Sequence, residues 1–167
     1  MKNTLEFIMA GSEVKRYHTV TTLREETVGH HSHGVAMLCL VLTNHHASVA
    51  LLEAALVHDL SEHITGDIPS PAKREYGIGE QVTLLEMRLM AAVGLGVLSL
   101  TPHEERTLKL ADIAQGALFC LREIEMGNRK MSLVYSRYMS YAESMILVGR
   151  ERELFDLIND QLSEILK

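Results

Sequence analysis

The chain has 167 residues, 47 % of them hydrophobic and 23 % charged, with a formal net charge of -6; this composition fits one globular domain that needs no disulfide staples to hold a core. No run of about eighteen apolar residues is present to cross a membrane, and the opening MKNTLEFIMAG, broken by Glu6, is too short an apolar patch for a secretory signal. The negative balance excludes a nucleic acid polymer, which needs a basic stripe, but leaves small phosphorylated ligands within reach of Lys15, Arg16 and Arg24 or of Lys73 and Arg74.

In chain order, the periodicity predicts a first helix over about 3–14, an irregular segment, and an apolar helix over about 31–44 that ends at the turn NHHAS. Ser48 is placed to cap a third helix whose apolar positions run through LLEAALV and which is expected to end near His63 or Ile64. A loop with two prolines leads to a helix over about 80–92. Thr101, Pro102 and Glu104 then give a cap, a proline at the first helical position and a capping box. The helix they start, to about Glu125, contains LKLADIAQGALFCL, apolar almost all round and therefore central. Two more helices, about 132–148 and 150–166, finish the chain. No run of alternating strand residues appears. The expected fold is all-α, a single domain over 1–167 with six or seven helices, and Cys39 and Cys120 are expected as buried thiols of a reducing, cytoplasmic protein.

Three sets of polar residues are not explained by helix packing. Asp112 places a carboxylate on the most apolar helix, which is costly unless it is paired or bound to a metal. His58 and Asp59 are neighbours that can lean to one point beside a helix axis and offer a nitrogen and an oxygen to one cation. Glu62, one turn on, is placed to act as general acid or base on a water activated there. If the helix runs through His63, Asp59 and Glu62 oppose its dipole, which favours a functional account of both. The third set is GHHSHG, where His30, His31 or His33 could supply a further ligand, and spacing alone does not choose between them. Histidines and aspartates on separate helices without cysteine suit Mn, Co, Zn or Fe.

Read together, His31, His58, Asp59 and Asp112 form an H…HD…D pattern that resembles the HD-domain metal phosphohydrolases. The agreement extends to their YfbR-like 5'-deoxynucleotidase branch. There the first histidine lies in a V-S-E-H-S-x-x-V-A pattern, matched by residues 28–36, which selects His31. The H-D-x-S-E and T-G-D-x-P-[TS]-P-x-K motifs are matched by residues 58–62 and 65–73, and the K-x-A-D context by residues 109–112. The resemblance covers about residues 15–125.

It implies a divalent metal held by His31, His58, Asp59 and Asp112, with a second metal accompanying a bound triphosphate as an added option. It also implies Glu62 and Asp67 near the scissile phosphate, and Arg16, Tyr17 and Lys73 as substrate-binding residues. The implied reaction is hydrolysis of a deoxyribonucleoside 5'-phosphate at the 5'-ester, either a monophosphate to deoxynucleoside and phosphate or, as in compact phage enzymes of the DatZ type, dATP to deoxynucleoside and triphosphate. Tyr17 stands where the family has tryptophan, and His30 where it has glutamate. The implied assembly is a homo-oligomer, dimer or hexamer. The competing readings are a non-catalytic HD domain that binds a nucleotide or partner, and a phosphodiesterase of a cyclic or dinucleotide signal.

Overall fold

The computed structural model describes residues 1–96 and 99–167. Among these it is all-α: α1 (Lys2–Ser12), α2 (Val28–Leu42), α3 (Val49–Val57), α4 (Glu62–Thr65), α5 (Ser70–Glu75), α6 (Gly79–Ala92), α7 (Pro102–Glu125), α8 (Met131–Ser144) and α9 (Arg150–Ile165). Among the described residues the extended backbone pairs only as one bridge, between Lys15 and Thr27. The two helices beyond the expected seven, α4 and α5, are a turn or so each, too short to leave a hydrophobic period in the sequence.

The 24-residue α7 is the axis of the molecule. Thr101 Oγ1 accepts the Glu104 N–H and the Glu104 carboxylate accepts the Thr101 N–H, the reciprocal cap that the sequence predicts. Around α7 pack α2, α3, α8 and α9. Ile113, Ala117, Cys120 and Ile124 of α7 meet Met131 and Tyr135 of α8 and Phe155 and Ile158 of α9 in the larger core. On another side of α7, Ala111 joins Val35, Cys39, Leu51 and Ala55, so α2 and α3 are pinned beside the residue that precedes Asp112. Gly116 is required by a close approach: a Cβ there would lie 2.5 Å from Cζ of Tyr138, whose ring crosses α7 at that point. Both cysteines are free and buried, as expected.

One boundary departs from the sequence reading in a way that matters for the site. Ser48 caps α3 as predicted, accepting the Leu51 N–H, but the helix ends at Val57 rather than near His63. His58 is its C-cap. Beyond it the Leu60 N–H bonds back to Val57 O and the Glu62 N–H to Asp59 O, three residues each, which tightens the chain into turns. Glu62 therefore opens α4 instead of closing α3, and the dipole argument that placed it in a last turn does not hold.

Candidate metal centre

The centre forms where the start of α2, the end of α3 and the middle of α7 converge. His31 is the fourth residue of α2, whose N-cap Thr27 accepts the His30 N–H; His31 itself is fully buried. His58 and Asp59 follow the end of α3, and Asp112 lies on α7. One ligand atom each from His31, His58 and Asp112 can be chosen so that all lie within 4.8 Å of one another. His31 Nε2 is 3.3 Å from Asp112 Oδ1 and 3.6 Å from Asp59 Oδ2, and His58 Nε2 is 3.4 Å from the same Asp59 oxygen. The structure thus picks His31 out of the GHHSHG cluster.

Two hydrogen bonds decide which nitrogen each ring presents. His31 Nδ1 lies 2.5 Å from the carbonyl oxygen of Gln115, and His58 Nδ1 lies 2.9 Å from the carbonyl of Ala55. Carbonyl oxygens only accept, so both Nδ1 atoms carry the proton and both Nε2 lone pairs face the centre. Those two Nε2 atoms are buried without a hydrogen-bond partner. An orphaned buried acceptor is costly, and two of them aimed at two carboxylates fit a bound cation. Two neutral imidazoles and two carboxylates neutralise a dication and form the mixed N/O donor set suited to Zn, Mn, Co or Fe.

Arg16 lies beside the donors, almost buried, with Nη1 donating to Asp59 Oδ2 at 2.9 Å and Nε 3.3 Å from Glu26 Oε2. Burial alone would raise the Asp59 pKa, but positive charge beside it, of which the Arg16 guanidinium is the permanent source, outweighs burial and holds the carboxyl below its ordinary value. Glu62 behaves oppositely. Its burial, reinforced by the negative charge of Asp59 and Asp67, pushes it up to about 9. Its Oε2 is buried and unpartnered, so this carboxyl has a free face and a strong tendency to hold a proton.

The remaining expected residues are brought to the same region, with partners of their own. Tyr17 has φ 58, a left-handed conformation costly for a bulky side chain, and its N–H donates to Asp67 Oδ2 at 3.2 Å. That bond ties the loop before α2 to the loop before α5. The Tyr17 ring stacks on Phe119 with centroids 4.7 Å apart, and its hydroxyl lies 3.0 Å from that of Tyr138. Lys73 sits 3.6 Å from Glu86 of α6, and Lys109 is 2.9 Å from Asp112. The partner that Asp112 requires is thus both a lysine and the centre. The supposed basic cluster near the N-terminus does not stand free: Lys15 pairs with Glu25 at 2.7 Å, Arg16 with two acids, and Arg24 lies over the Phe119 ring. His63 turns away to pack edge-on against Phe7.

Three polar residues that the sequence reading passed over, the half-buried Gln115 and the buried Glu26 and Glu123, belong to the surroundings of the centre. Gln115 and Glu26 bond to each other, Nε2 to Oε1 at 2.7 Å. Glu123, fully buried, accepts the N–H groups of Leu23 and Arg24 at 2.6 and 2.9 Å and so anchors the loop that carries Arg16 and Tyr17. The available clue was a glutamine in the interior of an otherwise apolar helix, three residues beyond Asp112 and so on the same face.

The fold and the centre define a helical metal enzyme of the histidine–aspartate type, its donors drawn from two helices packed on a long central one and from that central helix itself. Residues 5–91 match the family described as 5'-deoxynucleotidase YfbR-like. The 5'-deoxynucleotidase of Enterobacter sp. strain 638 is 30 % identical over 156 residues, 78 % of this chain and 77 % of the relative. The 5'-deoxynucleotidase YfbR of Escherichia coli strain ATCC 8739 is 29 % identical over the same length and the same shares. The chain belongs to the YfbR-like 5'-deoxynucleotidase family. Two solved structures share the fold: the HD phosphohydrolase DatZ of cyanophage S-2L, bound to dA and one catalytic Zn2+ ion (TM-score 0.71, 21 % identity, 95 % of this chain and 96 % of that one), and the PH0347 protein of Pyrococcus horikoshii OT3 (TM-score 0.74, 20 % identity, 98 % and 99 %). Among the described residues no helix is long and apolar enough to cross a membrane.

Proposed function

We propose that this protein is a metal-dependent phosphohydrolase that cleaves deoxyribonucleoside 5'-monophosphates at the 5'-ester, releasing deoxynucleoside and phosphate. Its metal dependence and its deoxynucleotide substrate class follow from the centre and from membership of the family. The observation that carries the hydrolytic chemistry is the pair of orphaned Nε2 atoms of His31 and His58 facing Asp59 and Asp112. These four residues would hold a divalent ion, which when bound would supply Lewis-acid polarisation of a phosphoryl oxygen and acidify a water.

The chain's own residues do the rest. Glu62, with an unpartnered oxygen, in its ionised form accepts a proton from the attacking water as the new bond to phosphorus forms, and the leaving 5'-oxygen takes up a proton as its own bond to phosphorus breaks. Asp67, held beside it by the Tyr17 N–H, is placed to serve the leaving 5'-oxygen. Arg16 keeps Asp59 ionised and oriented, and with Lys109 beside Asp112 it is one of two cations next to the donors that can meet a phosphoryl oxygen. Tyr17, in the loop before α2 and already stacked on Phe119, and Lys73 of α5 border the substrate.

Charge supports the monophosphate over the triphosphate. Arg16, Lys73 and Lys109 are each paired with an acid, and Asp67 adds to the negative side. A triphosphate needs several uncommitted cations or a second metal; one phosphoryl group needs far less. We take the whole chain as one HD domain, acting as a homo-oligomer. The test is a panel of deoxynucleoside mono- and triphosphates with Mn2+ or Co2+, with the released anion identified. Orthophosphate from monophosphates is expected. Tripolyphosphate from dATP would replace this reading with the triphosphohydrolase one.

A further inference from the structure

A chain of polar contacts runs behind the metal centre. His31 Nδ1–H donates to Gln115 Oε1, Gln115 Nε2 donates to Glu26 Oε1 at 2.7 Å, Glu26 Oε2 lies 3.3 Å from Arg16 Nε, and Arg16 Nη1 donates to Asp59 Oδ2 at 2.9 Å. It begins on one donor of the centre and ends on another. We propose that Gln115 is a positioning residue that sets the tautomer of His31 and, through Glu26 and Arg16, links His31 to Asp59 as one preorganised unit. This rests on the reading that His31 and Asp59 hold the metal.

The amide suits this place because it carries both an acceptor and a donor. Its carbonyl oxygen obliges His31 to protonate Nδ1, which leaves Nε2 bare, and its NH2 gives the buried Glu26 carboxylate a donor. A carboxylate in its place would do the first and oppose the second; an apolar side chain would do neither. Space has been left for it: a Cβ at Gly34, three residues after His31 on α2, would lie 2.8 Å from Gln115 Cγ. A group that accepts the other N–H of a ligating histidine fixes the ring's orientation, and losing one costs roughly 10–100-fold in metal affinity.

The test uses the full chain with Zn2+ alone as probe, and needs no substrate. In 15N spectra of the chelator-treated protein at alkaline pH, where the imidazoles are neutral, His31 is expected as the Nδ1-protonated tautomer. Gln115→Met, nearly isosteric, is expected to lose that signature while His58, whose acceptor is Ala55 O, keeps its own. Zn2+ affinity, from competition with a chromophoric chelator, should fall about 10–100-fold. Gln115→Glu is expected to restore the tautomer. Zn2+ affinity within twofold of wild type in Gln115→Met, with the His31 tautomer unchanged, would overturn the proposal. If that variant does not fold, an Nε2-protonated His31 in the wild-type spectrum overturns it equally. An inactive enzyme that passes these tests would count against the hydrolase reading and not against this one.

Discussion

His31 Nε2 lies 3.3 Å from Asp112 Oδ1, and in the neutral ring the only proton of His31 is spent on Gln115. A bare lone pair facing a carboxylate oxygen repels it, with His58 and Asp59 adding a second such encounter at 3.4 Å. A cation between them turns repulsion into ligation. The metal should therefore stabilise the fold as well as serve the chemistry. At a free metal concentration of 100 times Kd the gain is about 2.7 kcal/mol, or roughly 5–10 °C in Tm. Thermal melts with and without chelator should show it in wild type, and Asp112→Ala or His58→Ala should abolish the metal-dependent increment.

Glu62 is assigned to moving the proton and not to holding the ion. Glu62→Gln should keep the metal-dependent rise in Tm and lose roughly 10²–10⁴-fold in kcat. Loss of metal affinity in that variant would reassign the residue as a ligand.

The same residue gives the metal-free protein a pH signature. The folded pKa of about 9 lies above the ordinary 4.5, so between them the native state holds a proton that the unfolded state has released. The contribution of Glu62 to stability is present in full below pH 4.5, falls as pH rises through the window and is lost above about pH 9. In urea melts of the chelated protein, the stability difference between wild type and Glu62→Gln should move against wild type across that range. A constant difference would place Glu62 in an ordinary solvated environment.

Glu123 fixes the approach to the site from a distance. Its buried carboxylate accepts Leu23 N–H, Arg24 N–H and Asn128 Nδ2–H. Hydrogen bonds to a charged group contribute about 1.5–3 kcal/mol each, and these are not additive, so Glu123→Ala should cost about 3 kcal/mol in denaturant melts. Because the freed loop carries Arg16 and Tyr17, KM should rise more than kcat falls.

How much of this was legible in the sequence depends on whether a residue's role is periodic, part of a motif or purely spatial. The all-α class, the Thr101 cap and the central α7 follow from periodicity and capping chemistry, both local. His31, His58, Asp59 and Asp112 follow from a motif of known chemistry; the structure brings His31, His58 and Asp112 within mutual ligand distance, with Asp59 beside both histidines. The end of α3 was misplaced because LVHDLSEHI keeps a helical pattern of apolar residues across a break that the turn bonds at Asp59 and Leu60 impose. Gln115, Glu26 and Glu123 were missed because each acts on residues about 84 to 100 positions away, a separation no local pattern records. Tyr17 was placed against the substrate; the structure shows that one of its faces is already taken by Phe119.

The most direct measurement of the central claim is release of deoxynucleoside and orthophosphate from a deoxyribonucleoside 5'-monophosphate by chelated protein before and after adding Mn2+ or Co2+, with Asp112→Ala alongside. We predict no turnover without metal, turnover on its addition, and none in Asp112→Ala under either condition. Equal turnover with and without metal, or full activity in Asp112→Ala, would contradict the account.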